Sequence, residues 1–284
     1  MRNVSKHIPI GLAAALMASV SSSAVQARVF TCGDSYSDNG NIGVVTGGAQ
    51  PGAQYWDGRA TNGWTLAERL TFRLTNASPG RAPGLNSIQY PSGTSAVGGV
   101  DFAHYGATAV TNASLPKHLS VYNQAAYFRN ETLARRITVG TGDTAIVWAG
   151  LNDYLAYNAT NANTVSGNVA DRIVPLVAAS KVGSILVFNL PNMGDLPGWI
   201  NGPKRTSLNT LTAAHNSNLA TRLALRQPNT TSRLILVDVN RAMVLAHQGL
   251  AGGFTVTRPG QNGSASGNCL GDGKVLWNCP ANYL

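Results

Sequence analysis

Charged side chains are scarce in this chain of 284 residues, of which they make up 12%, against about 25% in an average globular protein. The formal net charge is nevertheless +9, because Lys and Arg outnumber Asp and Glu. The basic residues are spread along the chain, and they form neither a basic helix nor an alternation with aromatic residues. This pattern argues against a nucleic-acid-binding surface, so we expect no nucleic-acid partner.

Long apolar runs are also missing once the first 27 residues are set aside. Arg2 and Lys6 give a basic start, the segment 8–20 is apolar, and small residues follow up to Ala27. This order is typical of a secretory signal peptide, and its apolar part is too short to span a membrane. We therefore expect a signal peptide over residues 1–27, a mature domain over 28–284, and a secreted protein (extracellular or periplasmic) without stable membrane insertion.

Cysteine is rare, and the three cysteines are too scattered to indicate a metal site. Cys269 and Cys279 lie close together in a segment rich in Gly and Asn. In an oxidising compartment we expect these two to form a disulfide, worth about 3 kcal/mol on the loop-entropy model. Cys32 stands alone in an apolar run, where a buried small residue is expected rather than a reactive thiol.

Short apolar segments alternate with segments of helical periodicity along the chain. The first predicted strand begins at Val29, and four more cover 100–104, 143–149, 184–190 and 234–239. The predicted helices cover 119–136, 165–177, 208–223 and 241–248, with one more near Leu70. The strands are continuously apolar, which is typical of a parallel sheet covered on both faces. The sequence therefore predicts a single three-layer α/β/α domain with right-handed connections.

The helix near Leu70 carries two further expectations. We expect Thr61 or Asn62 to cap it, with an apolar face made of Trp64, Ala67, Leu70 and Leu74. The following residues, 77–98, are rich in Pro, Gly and Ser and are predicted to be loop.

The first predicted strand ends abruptly at Gly33, so Ser35 is expected in a loop at the carboxyl edge of the sheet, where such sheets place their ligands. A turn in which Ser35 merely caps a helix is the alternative. Gly106 and Asn152 follow two other strand ends, so a parallel sheet brings all three residues to one edge. A hydroxyl, a backbone N–H and an amide are the groups that acyl transfer needs, although Gly106 alone is compatible with a tight turn and Asn152 with a helix cap.

Several segments, in this order, resemble the sequence blocks of the GDSL/SGNH hydrolases: Gly33-Asp34-Ser35, Asp38-Asn39-Gly40-Asn41, Gly58-Arg59-Ala60-Thr61-Asn62-Gly63, Gly106 in its Ala-His-Tyr-Gly-Ala context, Gly150-Leu151-Asn152-Asp153 and Leu190-Pro191-Asn192-Met193-Gly194. The chain resembles in particular the secreted lipase and acylhydrolase branch, which includes lecithinase-like phospholipases, haemolysins and some carbohydrate acetyl esterases. The resemblance extends over nearly the whole chain after the signal segment. It implies a mostly parallel, five-stranded, flavodoxin-like sheet, the SGNH hydrolase fold.

The resemblance also implies roles for single residues. Ser35 would be the nucleophile, and its backbone N–H would form the oxyanion hole together with the N–H of Gly106 and the side chain of Asn152. The implied reaction is hydrolysis of a carboxylic ester through a Ser35 acyl-enzyme, with no metal or organic cofactor. The implied substrates are lipid, phospholipid or acetylated carbohydrate esters, and we expect a monomer.

The fourth block of this family, an Asp-x-x-His near the C-terminus, does not occur after Asn152 in the printed sequence. Because a serine hydroxyl needs an adjacent base, we expect a C-terminally incomplete hydrolase that is weakly active or inactive as given. The alternatives are an inactive homologue that binds lipid or glycan, and an esterase with a rewired base. His104 is the best-placed substitute base, whereas structural roles are expected for His118, His215, His247, Asp153 and Asp238.

Overall fold

The computed structural model describes residues 27–53, 55–61, 63–81, 99–110, 120–196 and 198–248. Within these ranges, six parallel strands form one sheet. The strands are β1 (Val29–Cys32), β2 (Gly80–Arg81), β3 (Gly99–Asp101), β4 (Thr144–Trp148), β5 (Ser184–Phe188) and β6 (Arg233–Val237). The predicted α/β class with a parallel sheet is confirmed.

The strands lie in the order β2-β3-β1-β4-β5-β6. Without β2, this is the flavodoxin-like order in which the chain reverses direction at its first strand. The predicted count of five strands is wrong, because β2 adds a sixth strand within the predicted loop 77–98. Its two residues pair with Val100 and Asp101. A two-residue strand carries no hydrophobic pattern of its own, so only its partner strand defines it.

Helices cover the sheet on both faces because the connections run in opposite directions from β1. Right-handed crossovers in opposite directions place their helices on opposite faces. The helices are α1 (Asn41–Val45), α2 (Leu66–Thr75), α3 (Val121–Leu133), α4 (Leu151–Leu155), α5 (Ala162–Gly167), α6 (Val174–Ala179), α7 (Arg205–Arg226) and α8 (Val239–His247), with a π-helical segment, Asn168–Ile173, joining α5 to α6. Helix α3 contacts α6, and the π-helical segment contacts α3, α6 and α7, whereas α2 packs against β1.

The core is built where these helices meet the strands. The ring of Phe128 in α3 stacks on Phe30 of β1, with ring centroids 4.7 Å apart, and lies 5.6 Å from the ring of Phe102. Cys32 is 1% exposed, and burial raises the pKa of its thiol. The prediction of a buried, unreactive Cys32 is confirmed.

The start and the buried face of α2 differ from the prediction. Thr65, rather than Thr61 or Asn62, caps the helix, and its side chain accepts a hydrogen bond from the Glu68 backbone N–H while Glu68 bonds back to the Thr65 N–H. This capping box fixes a later start. Leu74 is 48% exposed, so it does not belong to the buried face of the helix. The residues of α2 that are buried are Ala67, Glu68, Thr71 and Thr75.

Several predictions lie outside the described residues: the signal peptide apart from Ala27, the disulfide between Cys269 and Cys279, His118 and the loop-like end of the chain. Among the helices that are described, none is long and apolar enough to cross a membrane.

Candidate active site

Ser35 lies in the turn that follows β1, as predicted. The backbone carbonyl of Asp34 accepts hydrogen bonds from the N–H groups of Ser37 and Asp38 at 3.0 and 2.9 Å. The Asp34 side chain accepts another from the N–H of Tyr36 at 3.1 Å. Ser35 is half-buried, and its neighbours Asp34 and Ser37 are buried. The turn therefore presents one hydroxyl on a rigid backbone.

A buried glutamine anchors this turn to the sheet. The side chain of Gln124 in α3 accepts a hydrogen bond from the Gly33 N–H at 2.8 Å and donates one to the Gly33 carbonyl at 3.0 Å. Gly33 is thus held on both of its polar backbone groups directly after β1 ends. Sequence reasoning missed Gln124, since a polar residue on a helix is usually solvent-facing.

Asp38 joins the Ser35 loop to the loop that contains Gly106. Its carboxylate accepts hydrogen bonds from the N–H groups of Gly40 (2.8 Å), Asn41 (2.6 Å) and Ile42 (3.3 Å) at the start of α1. It also accepts one from the N–H of Tyr105 at 2.6 Å. Tyr105 directly precedes Gly106, so this one buried side chain sets the spacing of two loops.

Asn41 reinforces the same connection. Its side-chain amide donates hydrogen bonds to the carbonyl oxygens of Asp101 and Ala103, at 2.9 and 2.8 Å. Asp38 and Asn41 belong to the first sequence block, in which no role had been predicted for them. The structure gives them a positioning role.

The Gly106 and Asn152 loops contact each other directly. Gly106 has a φ of 76°, in the left-handed region that favours glycine. The Asn152 amide donates a hydrogen bond to the Ala107 carbonyl at 2.9 Å, and the Asp153 carboxylate accepts one from the Ala109 N–H at 2.8 Å. An asparagine amide carries two N–H donors, and the bond to Ala107 uses one of them.

The carboxyl groups under this edge are buried, and burial is the main cause of their altered acidity. It raises the pKa of Asp34 to about 7 and those of Asp38 and Asp153 to about 6, against the hydrogen bonds from backbone N–H groups, which lower them. The negative charges of Asp153 and Asp38 raise the pKa of Asp34 further. Burial also raises the pKa of Asp101 well above its ordinary value.

The structure describes the side chains of two of the four histidines after the signal segment. His104, the predicted substitute base, is fully buried, so its ring does not face the open edge. His215 is also fully buried, and its Nδ1 lies 2.9 Å from the Tyr154 hydroxyl. Burial lowers the pKa of His215 to about 4. The prediction of a core histidine at this position is confirmed, while the side chain of His247 lies outside the described part of the chain.

The two aspartates expected to be structural also bond to backbone. Asp153 holds Ala109, as described above, and Asp238 accepts hydrogen bonds from the Asn189 side chain and the Arg241 N–H, both at 2.9 Å. Asp238 thereby caps the start of α8.

The parallel sheet and the three linked loops at its carboxyl edge define a doubly wound α/β protein with the groups of an acyl-transfer site. No family model matches the sequence. The chain is similar to a phosphatidylcholine-sterol acyltransferase from Aeromonas hydrophila, with 28% identity over 246 residues, or 83% of this chain. That alignment covers 66% of the relative, so this chain spans just under two thirds of its length. The relative supports the resemblance to the GDSL/SGNH hydrolases.

Two solved structures also align with the chain. A carbohydrate acetylesterase from Sinorhizobium meliloti gives a TM-score of 0.40 at 14% identity, with 76% of this chain and 85% of that one covered. A lipase/acylhydrolase from Enterococcus faecalis gives a TM-score of 0.38 at 12% identity, with 80% and 83% covered. Both TM-scores are below 0.5, so neither solved structure supports a detailed comparison with this chain.

Proposed function

We propose that this protein is a GDSL-type serine ester hydrolase that acts through an acyl-enzyme on Ser35. The observation that carries this proposal is the arrangement of the carboxyl edge, where the loops of Ser35, Gly106 and Asn152 are hydrogen-bonded to one another. Backbone and amide N–H groups fixed beside a serine hydroxyl suit the oxyanion that forms when the hydroxyl attacks an ester.

The reaction has two steps. In the first step the Ser35 oxygen attacks the ester carbonyl and its proton passes to water, and the alcohol leaves with a proton taken from water as the acyl-enzyme forms. In the second step water attacks the acyl carbon, the bond to the Ser35 oxygen breaks, and that oxygen regains a proton as the acid is released. The N–H groups of Ser35 and Gly106 and the Asn152 amide donate to the carbonyl oxygen while it is negative.

We expect the 284-residue chain to hydrolyse esters slowly. No Asp-x-x-His follows Asn152 in the printed sequence, and an enzyme of this kind without its base retains about 10³–10⁴-fold catalysis over water. The inactive, lipid- or glycan-binding homologue predicted as the alternative would instead bind ester substrates without Ser35-dependent turnover.

An apolar cavity next to the edge supports a lipid ester as the substrate. The cavity has a volume of about 410 Å³, and Pro51, Ala53, Tyr55 and Trp56 contribute to its lining. Its volume is in the range of ordinary ligand pockets, and it is largely apolar and wide open to solvent. The guanidinium of Arg59 packs over the Trp56 ring at 4.4 Å from its centre and holds that wall in place.

Contacts through Gly40 connect this cavity to the catalytic loops. A Cβ atom on Gly40 would lie 2.9 Å from the carbonyl oxygen of Asp57, which also lines the cavity. The Gly40 N–H bonds to the same Asp38 carboxylate as the N–H of Tyr105, next to Gly106. We assign the cavity to the apolar part of the ester. A phosphatidylcholine-like acyl donor, as in the name of the curated relative, fits this assignment.

Secretion, a monomeric state and the disulfide belong to the same proposal. Mass spectrometry of the exported protein should find an N-terminus near Arg28 and, without reduction, a peptide that links Cys269 to Cys279. An N-terminus at Met1 would contradict export by signal-peptide cleavage, and free thiols at both cysteines would contradict the disulfide.

The central test is covalent labelling with an alkyl fluorophosphonate, combined with hydrolysis of p-nitrophenyl esters. Ser37 is a matched control because it lies in the same turn as Ser35. We expect slow labelling of the Ser35 peptide and slow hydrolysis in the wild type and in Ser37→Ala, and neither in Ser35→Ala. Equal rates in the wild type and Ser35→Ala would contradict the proposal, and vesicle binding without any Ser35-dependent reaction would support the binding homologue.

A further inference from the structure

Helix α4, which carries Asn152, is too short to hold its own orientation. It has five residues, Leu151–Leu155, and Gly150 at its start offers no side-chain cap. An isolated helix of one turn is unstable in water, because nucleation costs more than so few hydrogen bonds return. Tertiary contacts must therefore fix the direction in which Asn152 points.

Two hydrogen bonds on one side of α4 join it to another loop. Asn152 bonds to the Ala107 carbonyl and Asp153 to the Ala109 N–H. Both partners lie in the irregular segment around Gly106. These bonds set the distance between the two loops. A contact with a longer helix or a strand is needed to hold both loops in place relative to the sheet.

The contact on the other side reaches such an element. The Tyr154 hydroxyl lies 2.9 Å from Nδ1 of His215 in the middle of α7, and the two rings meet edge-to-face at 84°. Tyr154 and His215 are 2% and 0% exposed. The next residue of α7, Asn216, bonds both to the N–H and to the carbonyl of Leu190 just beyond β5, at 2.9 and 2.8 Å. His215 therefore stands on a helix that is tied to the end of the sheet.

The same imidazole also contacts the start of α4. A Cβ atom on Gly150 would lie 3.0 Å from Cε1 of His215 and 3.3 Å from a methyl group of Val165, and Gly150 has a φ of 116°. His215 thus packs beneath Gly150 while it bonds to Tyr154 four residues later. The two contacts reach from Gly150, the residue before α4, to the last turn of this helix.

A histidine is a costly choice for this position. Its Nε2 is buried and has no hydrogen-bond partner among the described residues, and an unpaired buried nitrogen is unfavourable. Burial keeps the ring neutral by lowering its pKa to about 4. A leucine would avoid this cost, but it could not make the bond that the other ring nitrogen makes to Tyr154.

We propose that His215 and Tyr154 are positioning residues, which hold α4 against α7 and thereby aim the Asn152 amide at the oxyanion. The catalytic part of this inference rests on the proposed function, while the structural part concerns α4 alone. The experiment therefore needs one measurement of the stability of α4 and one measurement of catalysis.

The variants are Tyr154→Phe, His215→Leu, the double variant, and His215→Asn, in which an amide atom lies near the place of Nδ1. Ser232→Ala is the matched control, since it removes a buried hydrogen bond of 2.6 Å to the Val182 carbonyl near the opposite end of the sheet. Amide hydrogen exchange is measured in the full chain at Ala156, Tyr157 and Ala159, whose N–H groups bond to carbonyls of Asn152 and Asp153. Hydrolysis of p-nitrophenyl acetate gives kcat and KM.

The double variant should keep a thermal midpoint close to that of the wild type, because removing both partners leaves no polar group unpaired. We expect its amide exchange around α4 to be about tenfold faster and its kcat about tenfold lower, with KM nearly unchanged, because a displacement of about 1 Å can cost up to about 10²-fold in rate. His215→Asn should recover part of both losses. Ser232→Ala should lower the midpoint and change neither α4 exchange nor kcat.

Wild-type exchange around α4 in the double variant would overturn the proposal, whatever the enzymatic result. Faster exchange with an unchanged, Ser35-dependent kcat would overturn the positioning of Asn152. If hydrolysis proves independent of Ser35, the proposed function fails, and amide exchange still decides whether His215 and Tyr154 hold α4.

Discussion

The side-chain amide of Asn152 donates a hydrogen bond of 2.9 Å to the backbone carbonyl of Ala107, the residue that follows Gly106. These residues lie 45 positions apart in the sequence and follow different strands. The bond holds the Asn152 amide against the loop that contains Gly106. Two loops for which the sequence predicted oxyanion donors separately are thereby linked.

Replacing Asn152 should therefore affect catalysis much more than folding. Asn152→Ala removes one partly buried hydrogen bond, worth about 1 kcal/mol of unfolding free energy. Loss of an oxyanion donor typically lowers kcat by about 10²–10³-fold. We expect this drop in Ser35-dependent hydrolysis of p-nitrophenyl acetate, with an almost unchanged thermal midpoint. Asn229→Ala, which alters an exposed amide far along the chain, is the control, and equal kcat values for the two variants would contradict the assignment.

The buried carboxyl groups should make the protein less stable as the pH rises from about 4 to about 7. The folded-state pKa values of about 7 for Asp34 and about 6 for Asp38 and Asp153 lie above the ordinary 3.8. The folded state therefore binds more protons than the unfolded state in this range, and its stability falls as these protons are lost. His215 acts in the opposite direction, since its folded-state pKa of about 4 lies below the ordinary 6.5.

Three carboxyl groups against one imidazole give a net fall in stability. Thermal midpoints measured across this pH range should decrease. Asp34→Asn should make the decrease shallower, because Asp34 has the highest folded-state pKa of the three carboxyl groups. A midpoint that rises steadily over the same range would show that these groups are not buried in the protonated form.

The buried ion pair between Arg59 and Glu68 should be essential for stability. Two hydrogen bonds of 2.7 and 2.9 Å join the side chains, which are 8% and 4% exposed. Arg59→Ala leaves the Glu68 carboxylate buried without its cation, which costs about 3–5 kcal/mol of unfolding free energy. Arg205→Ala breaks the exposed pair with Asp195 and should cost about 1 kcal/mol or less. Urea denaturation measures both, and similar losses would contradict the burial of Arg59.

Filling the cavity next to the catalytic edge should change the preference for acyl chain length. Ala53 contributes to its lining, so Ala53→Trp places a large side chain in the space assigned to the apolar part of the ester. We expect kcat/KM for p-nitrophenyl octanoate to fall about tenfold, the equivalent of one or two buried methylene groups, while the acetate is hydrolysed as before. Leu133→Ala, an exposed residue at 67%, is the control. An unchanged ratio of octanoate to acetate would place the acyl chain elsewhere.

The sequence was informative where local composition carries the signal. Continuously apolar runs predicted the five longer strands and their parallel arrangement, and abrupt changes to Gly and polar residues predicted that Ser35, Gly106 and Asn152 follow strand ends. These features depend on residues that are adjacent in the chain, so they can be read without knowing the partners.

Long-range partners explain most of what the sequence did not predict. β2 exists because Gly80 and Arg81 pair with β3, and a two-residue strand leaves no apolar period in the sequence. The start of α2 after Thr65 is different, because the capping box of Thr65 and Glu68 is local and its Thr-x-x-Glu pattern can be read from the sequence. The supports of the site depend on tertiary structure as β2 does, since Gln124 bonds to Gly33 over 91 positions and His215 to Tyr154 over 61.

The sequence by itself therefore determined the class of fold and the positions of Ser35, Gly106 and Asn152 after strand ends, since each position follows from the place where an apolar strand stops. Only the tertiary structure decided how these residues are held. A parallel sheet brings strand ends to one edge, but the direction of each side chain there depends on buried polar partners from distant elements. The hydroxyl of Ser35 was thus predictable from the chain, whereas the orientation of Asn152 beside it depends on Ala107, Tyr154 and His215.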